Sequence, residues 1–212
     1  MCSNILQGLL QMLDATARKL IDPPLNAAGR RLAAWGATAN GVTLAGFVLG
    51  LGAAGAIWAG SFGLALVLIV LSRLADGLDG AVARATRKTD FGGYIDIAAD
   101  FAFYGAVPLA FALHDPGNAT AAAFLLASFY VNGTSFLGYA ILAEKRQMQT
   151  TAQGSKSLYF SNGLLEGSET IGFFLLLCLF PAAFGPLAWG FGVLCLATAG
   201  LRIAGARSVF KT

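Results

Sequence analysis

The sequence predicts an all-α, polytopic membrane protein with six transmembrane helices and an N-terminal amphipathic helix at the membrane interface. Of its 212 residues, 57% are hydrophobic and only 12% are charged, and the mean hydropathy is +0.69. Apolar stretches of about 18–25 residues recur along the chain, and a helix needs roughly this length to cross a hydrocarbon core. These stretches do not alternate polar and apolar residues as the strands of a membrane barrel do.

The first segment, residues 1–41, is predicted to form a cytoplasmic arm. It lacks the basic start, apolar core and cleavage site of a signal peptide. A predicted helix there carries Arg18 and Lys19 and ends before Pro23 and Pro24. The apolar residues on one side of that helix are Ile5, Leu9, Met12, Leu13 and Leu20. A helix of this kind lies along a membrane interface.

The membrane domain is predicted over residues 42–206, and residues 207–212 form a cytoplasmic tail. Segments rich in Leu, Ala, Phe and Gly predict its six helices at residues 42–61, 63–83, 92–113, 119–143, 164–182 and 185–206. Gly46 and Gly50 form a GxxxG arrangement, which favours close packing between membrane helices.

Positive charge predicts the orientation of these helices. Of the 14 Lys and Arg residues, all but Arg73 and Arg202 fall in the arm, in the loops after the second and fourth helices, or in the tail. The connections near 60–63, 114–118 and 181–186 contain none. By the positive-inside rule, both termini and the two basic loops are cytoplasmic. No dense basic patch indicates a nucleic-acid partner.

Acidic residues at the cytoplasmic ends of apolar segments indicate a functional site. An ionised side chain at bilayer depth is costly unless it faces water, a counter-ion or a metal. Asp76 and Asp79 are three residues apart, so they share one helix face. Asp96 and Asp100 are four apart and share a face of the next helix. The loop between the two helices is short, which makes them antiparallel neighbours and lets the pairs converge.

Four converging carboxylates predict a site for two divalent metal ions. Without cations the carboxylates repel one another, whereas two divalent ions balance four negative charges. Oxygen ligands favour Mg²⁺ or Mn²⁺, and a pair of such ions stabilises phosphoryl displacement. Zinc is not expected, because the one histidine, His114, falls in a predicted outer loop and the three cysteines show no metal-ligand spacing.

Two patterns in the sequence resemble the CDP-alcohol phosphotransferase (CDP-alcohol phosphatidyltransferase) family. Residues 76–84 read DGLDGAVAR and residues 92–100 read GGYIDIAAD, which match the family signature DxxDGxxAR followed by GxxxDxxxD. Residues 40–46 read NGVTLAG and resemble the NxxTxxG element at the start of the family's first membrane helix.

The resemblance implies transfer of a phosphatidyl group from CDP-diacylglycerol to an alcohol, with release of CMP, by a six-helix homodimer whose active site opens to the cytoplasm. It implies that Asp76, Asp79 and Asp96 hold the metals, and that Asp100 binds metal and acts as the general base. The residues implied to contact the donor are Asn40, Thr43, Gly80, Ala83 and Arg84. Arg84 has an alternative interpretation as a positive-inside anchor.

Polar residues near the last two predicted helices are candidates for the acceptor pocket. They are Lys156, Glu166, Glu169 and Arg202. The two glutamates share a helix face and can capture hydroxyls or an amine, or they can lie at a helix N-terminus, where the dipole favours negative charge. Arg202 lies in an apolar segment, where an arginine needs a partner. The sequence leaves the identity of the alcohol open.

Two other functions fit parts of the pattern. Intramembrane acids can line the path of an ion transporter, but such a path predicts acids throughout the membrane depth, and here they cluster at one end beside Arg84. An inactive relative would keep the fold for lipid binding or assembly, whereas this chain keeps all four aspartates of the signature.

Overall fold

The computed structural model describes residues 23–148 and 167–210, and the regular structure within these ranges is entirely helical. Helix α1 occupies residues 23–34, and the longer helices are α2 (Ala39–Trp58), α3 (Phe62–Ala85), α4 (Asp90–His114), α5 (Ala119–Lys145), α6 (Gly167–Leu179) and α7 (Phe184–Val209). Short 3-10 helices precede α5 and α7. The all-α prediction is confirmed, and α2–α7 lie on the six predicted segments.

Within the described residues, four helical stretches are long and apolar enough to cross a membrane, by length and composition. They are Ala39–Trp58, Asp90–His114, Pro116–Lys145 and Pro181–Val209. Helix α3 has 24 residues but carries two arginines and two aspartates, and α6 has 13 residues in the described chain. Large apolar side chains such as Leu44, Leu64 and Leu109 are exposed, as expected of a surface that faces lipid. The count of six spans stays a prediction.

Helix α1 is a helix of the N-terminal arm that the sequence did not predict. The predicted helix of the arm ends before Pro23 and Pro24, and both prolines are helical residues of α1. The helix ends before Gly36, whose φ of +85° suits a glycine C-cap. The predicted amphipathic helix precedes Pro23 and lies outside the described residues.

The chain divides into two compact units. The first consists of Met1–Gly50 and Val70–Phe101, and the second consists of Leu51–Ile69 and Ala102–Thr212. The first unit therefore contains α1, the start of α2, the end of α3 and the start of α4. Both signature patterns fall within it.

Aromatic side chains fill the core of the second unit. Its fully buried aromatic residues include Phe103, Phe111, Phe174 and Phe184. Phe111 stacks on Phe184 with ring centroids 4.6 Å apart, and Phe103 meets Phe174 edge-on at 5.6 Å. Such aromatic pairs add favourable contact energy beyond the area that they bury.

In the first unit, α2 and α3 approach each other closely at Gly46. A Cβ atom added there would lie 2.9 Å from the Ala75 Cβ, so a larger residue requires the helices to move apart. Ser72 is fully buried beside this contact and donates a 2.7 Å hydrogen bond to the Gly46 carbonyl. The predicted packing role of Gly46 agrees with this geometry.

Candidate active site

Three of the four signature aspartates converge in the first unit. Asp76 on α3 and Asp96 and Asp100 on α4 each bring a carboxylate oxygen to within 4.8 Å of the others, and we call these residues the acidic triad. Oxygen atoms around one Mg²⁺ or Mn²⁺ lie about 3–4 Å apart, so the separation within the triad is close to that of a metal ligand set. An oxygen-only ligand set of this kind fits a hard divalent ion.

Asp79 has different surroundings from the triad. It is only 7% exposed, and its Oδ2 accepts a 2.6 Å hydrogen bond from the Thr43 hydroxyl on α2. Asp79 lines the same small pocket as the acidic triad, together with Thr43. Its role as a metal ligand stays a prediction.

Arg73 is a charged member of the site that the sequence analysis did not assign. Its Nη1 donates a 2.7 Å hydrogen bond to Asp100 Oδ1 and lies 3.9 Å from Asp76 Oδ1. In the sequence, Arg73 stands out only as an exception to the pattern of positive charge. The available signal was its position three residues before Asp76, which places both residues on one helix face.

Arg84, which is predicted to contact the donor substrate, is exposed at the end of α3 and is hydrogen-bonded to α1. Asn26 Oδ1 accepts hydrogen bonds from Arg84 Nε at 3.1 Å and from Nη2 at 2.9 Å. A Cβ atom added to Gly80 would lie 3.3 Å from Arg84 Nη1, so the glycine leaves room for the guanidinium. Ala83 is half-buried beside Arg84. No pattern in the sequence singled out Asn26.

Helix starts position the other predicted donor contacts. Thr38 caps α2 by accepting a 3.1 Å hydrogen bond from the Gly41 N–H, which places Asn40 in the first turn. Thr89 caps α4 in the same way, with the Gly92 N–H at 3.0 Å. A Cβ atom added to Gly92 would lie 2.9 Å from Asn40 Oδ1, so a glycine at this position lets the two helix starts approach.

Two of the four candidate acceptor residues, Glu169 and Arg202, lie in the second unit. Lys156 and Glu166 lie outside the described residues. Glu169 is exposed in the first turn of α6, where the helix dipole favours a carboxylate. Its position therefore fits the structural alternative as well as the functional one.

Arg202 is buried in the second unit, at 3% exposure in α7. Its Nη1 lies 2.8 Å from both Asn132 Oδ1 and Ser135 Oγ on α5. The guanidinium also lies over the Phe136 ring, 5.6 Å from its centroid. These contacts tie α7 to α5, and they meet the expectation that an arginine in an apolar segment has partners.

A model of the CDP-alcohol phosphatidyltransferase family matches residues 37–204. The match spans α2 to α6 and most of α7, and it contains both signature patterns. It begins after α1.

Two curated proteins are similar in sequence. The inner membrane protein YnjF of Escherichia coli (strain K12) is 46% identical over 193 residues, which cover 91% of this chain and 94% of that protein. The archaetidylinositol phosphate synthase of Pyrococcus horikoshii is 37% identical over 84 residues, which cover 39% of this chain and 45% of that protein.

One solved structure with a similar fold is the Mycobacterium tuberculosis phosphatidylinositol phosphate synthase PgsA1 with CDP-DAG bound. The TM-score is 0.68 at 22% sequence identity, over 86% of this chain and 93% of that one. At this identity the likeness shows a shared fold.

Proposed function

Because the chain belongs to the CDP-alcohol phosphatidyltransferase family, we propose that it transfers the phosphatidyl group of CDP-diacylglycerol to the hydroxyl of an alcohol. The observation that carries this proposal is the convergence of three carboxylates, from two helices, within 4.8 Å. Support for the donor comes from the Mycobacterium tuberculosis protein of similar fold, whose structure contains CDP-DAG.

The reaction replaces one phosphorus–oxygen bond with another. The acceptor oxygen attacks the β-phosphorus of the donor, and the bond from that phosphorus to the bridging oxygen breaks. CMP leaves with the bridging oxygen and its electron pair. Asp100 accepts the proton of the attacking hydroxyl, as a general base does. Two Mg²⁺ or Mn²⁺ ions, when bound, supply positive charge that stabilises the diphosphate and the departing CMP.

In this proposal, some residues of the site bind the metals and others bind the donor substrate. Asp76, Asp79 and Asp96, with Asp100, hold the metals in this proposal. Arg84 binds diphosphate oxygens through its planar guanidinium, and Gly80 and Ala83 lie along the same stretch of the donor. Asn40 and Thr43 supply further hydrogen bonds to the donor. The position of Arg84 Nη1, which would lie 3.3 Å from a Cβ atom added to Gly80, supports this arrangement.

We place the enzyme in the membrane as a homodimer with α2–α7 as six spans. The segments are a cytoplasmic arm at residues 1–41, the membrane domain at 42–206 and a cytoplasmic tail at 207–212. Both termini and the active site face the cytoplasm, an orientation that the positions of Lys and Arg support.

The acceptor pocket of the proposal involves Lys156, Glu166, Glu169 and Arg202. Single alanine variants are expected to raise the KM for the alcohol more than the KM for CDP-diacylglycerol. Steady-state kinetics with each substrate varied in turn measure this difference. Unchanged acceptor kinetics in all four variants would remove these residues from the pocket.

The function itself is tested with purified protein, labelled CDP-diacylglycerol and a panel of alcohols. The panel contains glycerol 3-phosphate, phosphatidylglycerol, inositol, inositol phosphate and serine. We expect release of CMP and a new lipid, identified by its mass, with one of these alcohols and Mg²⁺ or Mn²⁺, and neither product with a chelator. Folded protein that releases no CMP with any alcohol, or that instead conducts cations in liposomes, would contradict the proposal.

Replacing Asp100 with Asn separates base catalysis from binding. The variant is expected to keep most of its affinity for Mn²⁺ and CDP while transfer falls by about 10²–10⁴-fold, the usual contribution of a general base. Asp76→Asn is the comparison, because it should weaken Mn²⁺ binding itself. Wild-type turnover in Asp100→Asn would overturn the assignment of the base.

A further inference from the structure

Arg73 contacts the acidic triad from inside the first unit. Its Nη1 bonds Asp100 on the neighbouring helix at 2.7 Å and lies 3.9 Å from Asp76 on its own helix. The side chain of Arg73 is 19% exposed, against 30% for Asp100 and 35% for Asp76. The arginine side chain is therefore less exposed than the two carboxylates that it contacts.

The other edge of the guanidinium is tied to the contact between α2 and α3. Arg73 Nη2 lies 3.2 Å from the Ser72 hydroxyl oxygen, and that hydroxyl donates to the Gly46 carbonyl at 2.7 Å. Ser72 is fully buried, and Gly46 is a position at which the two helices approach closely. The planar fork of an arginine can hold two such groups in fixed directions, whereas a lysine ammonium cannot.

We propose that Arg73 is a positioning residue for Asp100 and a resident counter-ion of the metal site. This inference rests on the proposed function for the role of Asp100. The guanidinium fixes one oxygen of Asp100, which directs the remaining carboxylate edge, and it offsets part of the negative charge of the four aspartates. It also repels divalent cations, so it weakens their binding while it improves the geometry for turnover.

This double role predicts opposite changes in metal affinity and turnover. Removing a positive charge that contacts the ligands of a divalent ion increases the affinity of the site for that ion by about tenfold or more. Arg73→Met is therefore expected to bind Mn²⁺ at least about tenfold more tightly than the wild type. Its kcat is expected to fall by about tenfold or more, because Asp100 loses the donor that orients it. A residue with only a structural role would lower metal affinity and kcat together.

The experiment measures Mn²⁺ binding by electron paramagnetic resonance on the purified protein at fixed pH, beside CMP release. Arg73→Lys is the matched variant, because it keeps the charge and loses the fork. It is expected to bind Mn²⁺ within about threefold of the wild type and to lose kcat by about tenfold. Ser72→Ala serves as a milder control that should leave Mn²⁺ affinity unchanged.

Two results would overturn the inference. One is an Arg73→Met protein that binds Mn²⁺ no more tightly than the wild type. The other is an Arg73→Lys protein with wild-type kcat, a result that also decides the question if Arg73→Met does not fold. A wild-type protein that releases no CMP would contradict the proposed function instead, and its Mn²⁺ binding would still test the counter-ion role.

Discussion

The Thr43 hydroxyl and the Asp79 carboxylate form a buried contact between α2 and α3. Asp79 is 7% exposed and Thr43 is 8% exposed, and their oxygens are 2.6 Å apart. Hydrogen bonds to a charged group in such surroundings are among the stronger ones in proteins. The NxxTxxG pattern and the aspartate signature therefore meet physically at this bond.

Replacing Thr43 with Val removes this hydrogen bond at nearly constant volume. We expect the variant to lose about 1.5–3 kcal/mol of stability, the usual cost for a hydrogen bond to a charged group. The midpoint of thermal unfolding and the rate of CMP release should both fall. Thr43→Ser keeps the hydroxyl and should remain close to the wild type. Equal behaviour of the Val and Ser variants would show that the bond contributes little.

Helix α1 packs directly on the part of α3 that carries the signature. Gly29 of α1 is buried, and a Cβ atom added there would lie 2.6 Å from the Ala81 Cβ. Leu25 lies against Gly77, with 3.4 Å between its Cδ1 and a Cβ atom added to that glycine. The family match begins at residue 37, yet this helix contacts the signature and bonds Arg84 through Asn26.

The bond from Asn26 to Arg84 predicts an effect of α1 on donor binding. Asn26→Leu removes the acceptor oxygen and frees the guanidinium, so the KM for CDP-diacylglycerol should rise by about threefold to tenfold. The kcat should change little, because Asn26 does not contact the acidic triad in the described contacts. Steady-state kinetics with CDP-diacylglycerol varied measure the effect.

Asn26→Asp is the control for this prediction, since it keeps an oxygen in the same place and adds a favourable charge. It should retain the wild-type KM. If Asn26→Leu leaves the KM unchanged, or if both variants lose kcat to the same extent, α1 does not act on donor binding through Arg84.

The predicted path of the chain through the bilayer is tested by labelling single cysteines. In a background without Cys2, Cys178 and Cys195, we expect Ser61→Cys and Gly117→Cys to react with an impermeant maleimide on intact cells. Lys88→Cys should react only after the membrane is permeabilised, because positive charge marks the cytoplasmic side. Labelling of Lys88→Cys on intact cells, or protection of Ser61→Cys, would contradict the six-span orientation.

The sequence predicted the six long helices because segments of hydrophobic residues at bilayer length are a strong signal. Their ends differ from the predicted segments by a few residues, since caps such as Thr38 and Thr89 lie in the polar flanks. It also predicted that the four aspartates converge, because helical spacing fixes which residues share a face. The structure groups three of them, Asp76, Asp96 and Asp100.

Tertiary contacts account for what the sequence analysis missed. Arg73 was one of two exceptions to the predicted charge pattern, and only the position of α4 shows that its guanidinium reaches Asp100. Asn26 lies 58 residues from Arg84, so no local pattern connects them. The packing of Gly29 against Ala81 likewise depends on the direction in which α1 crosses α3.

The guanidinium beside Asp100 affects the stability of the metal-free protein. Carboxylates gathered by helix packing repel one another, and the arginine offsets part of this repulsion when no metal is bound. The metal-free enzyme should therefore survive chelation with its fold intact and regain activity when Mn²⁺ is returned. The arginine is thus a permanent counter-ion of the folded protein, whereas divalent metal binds to a site that has already formed.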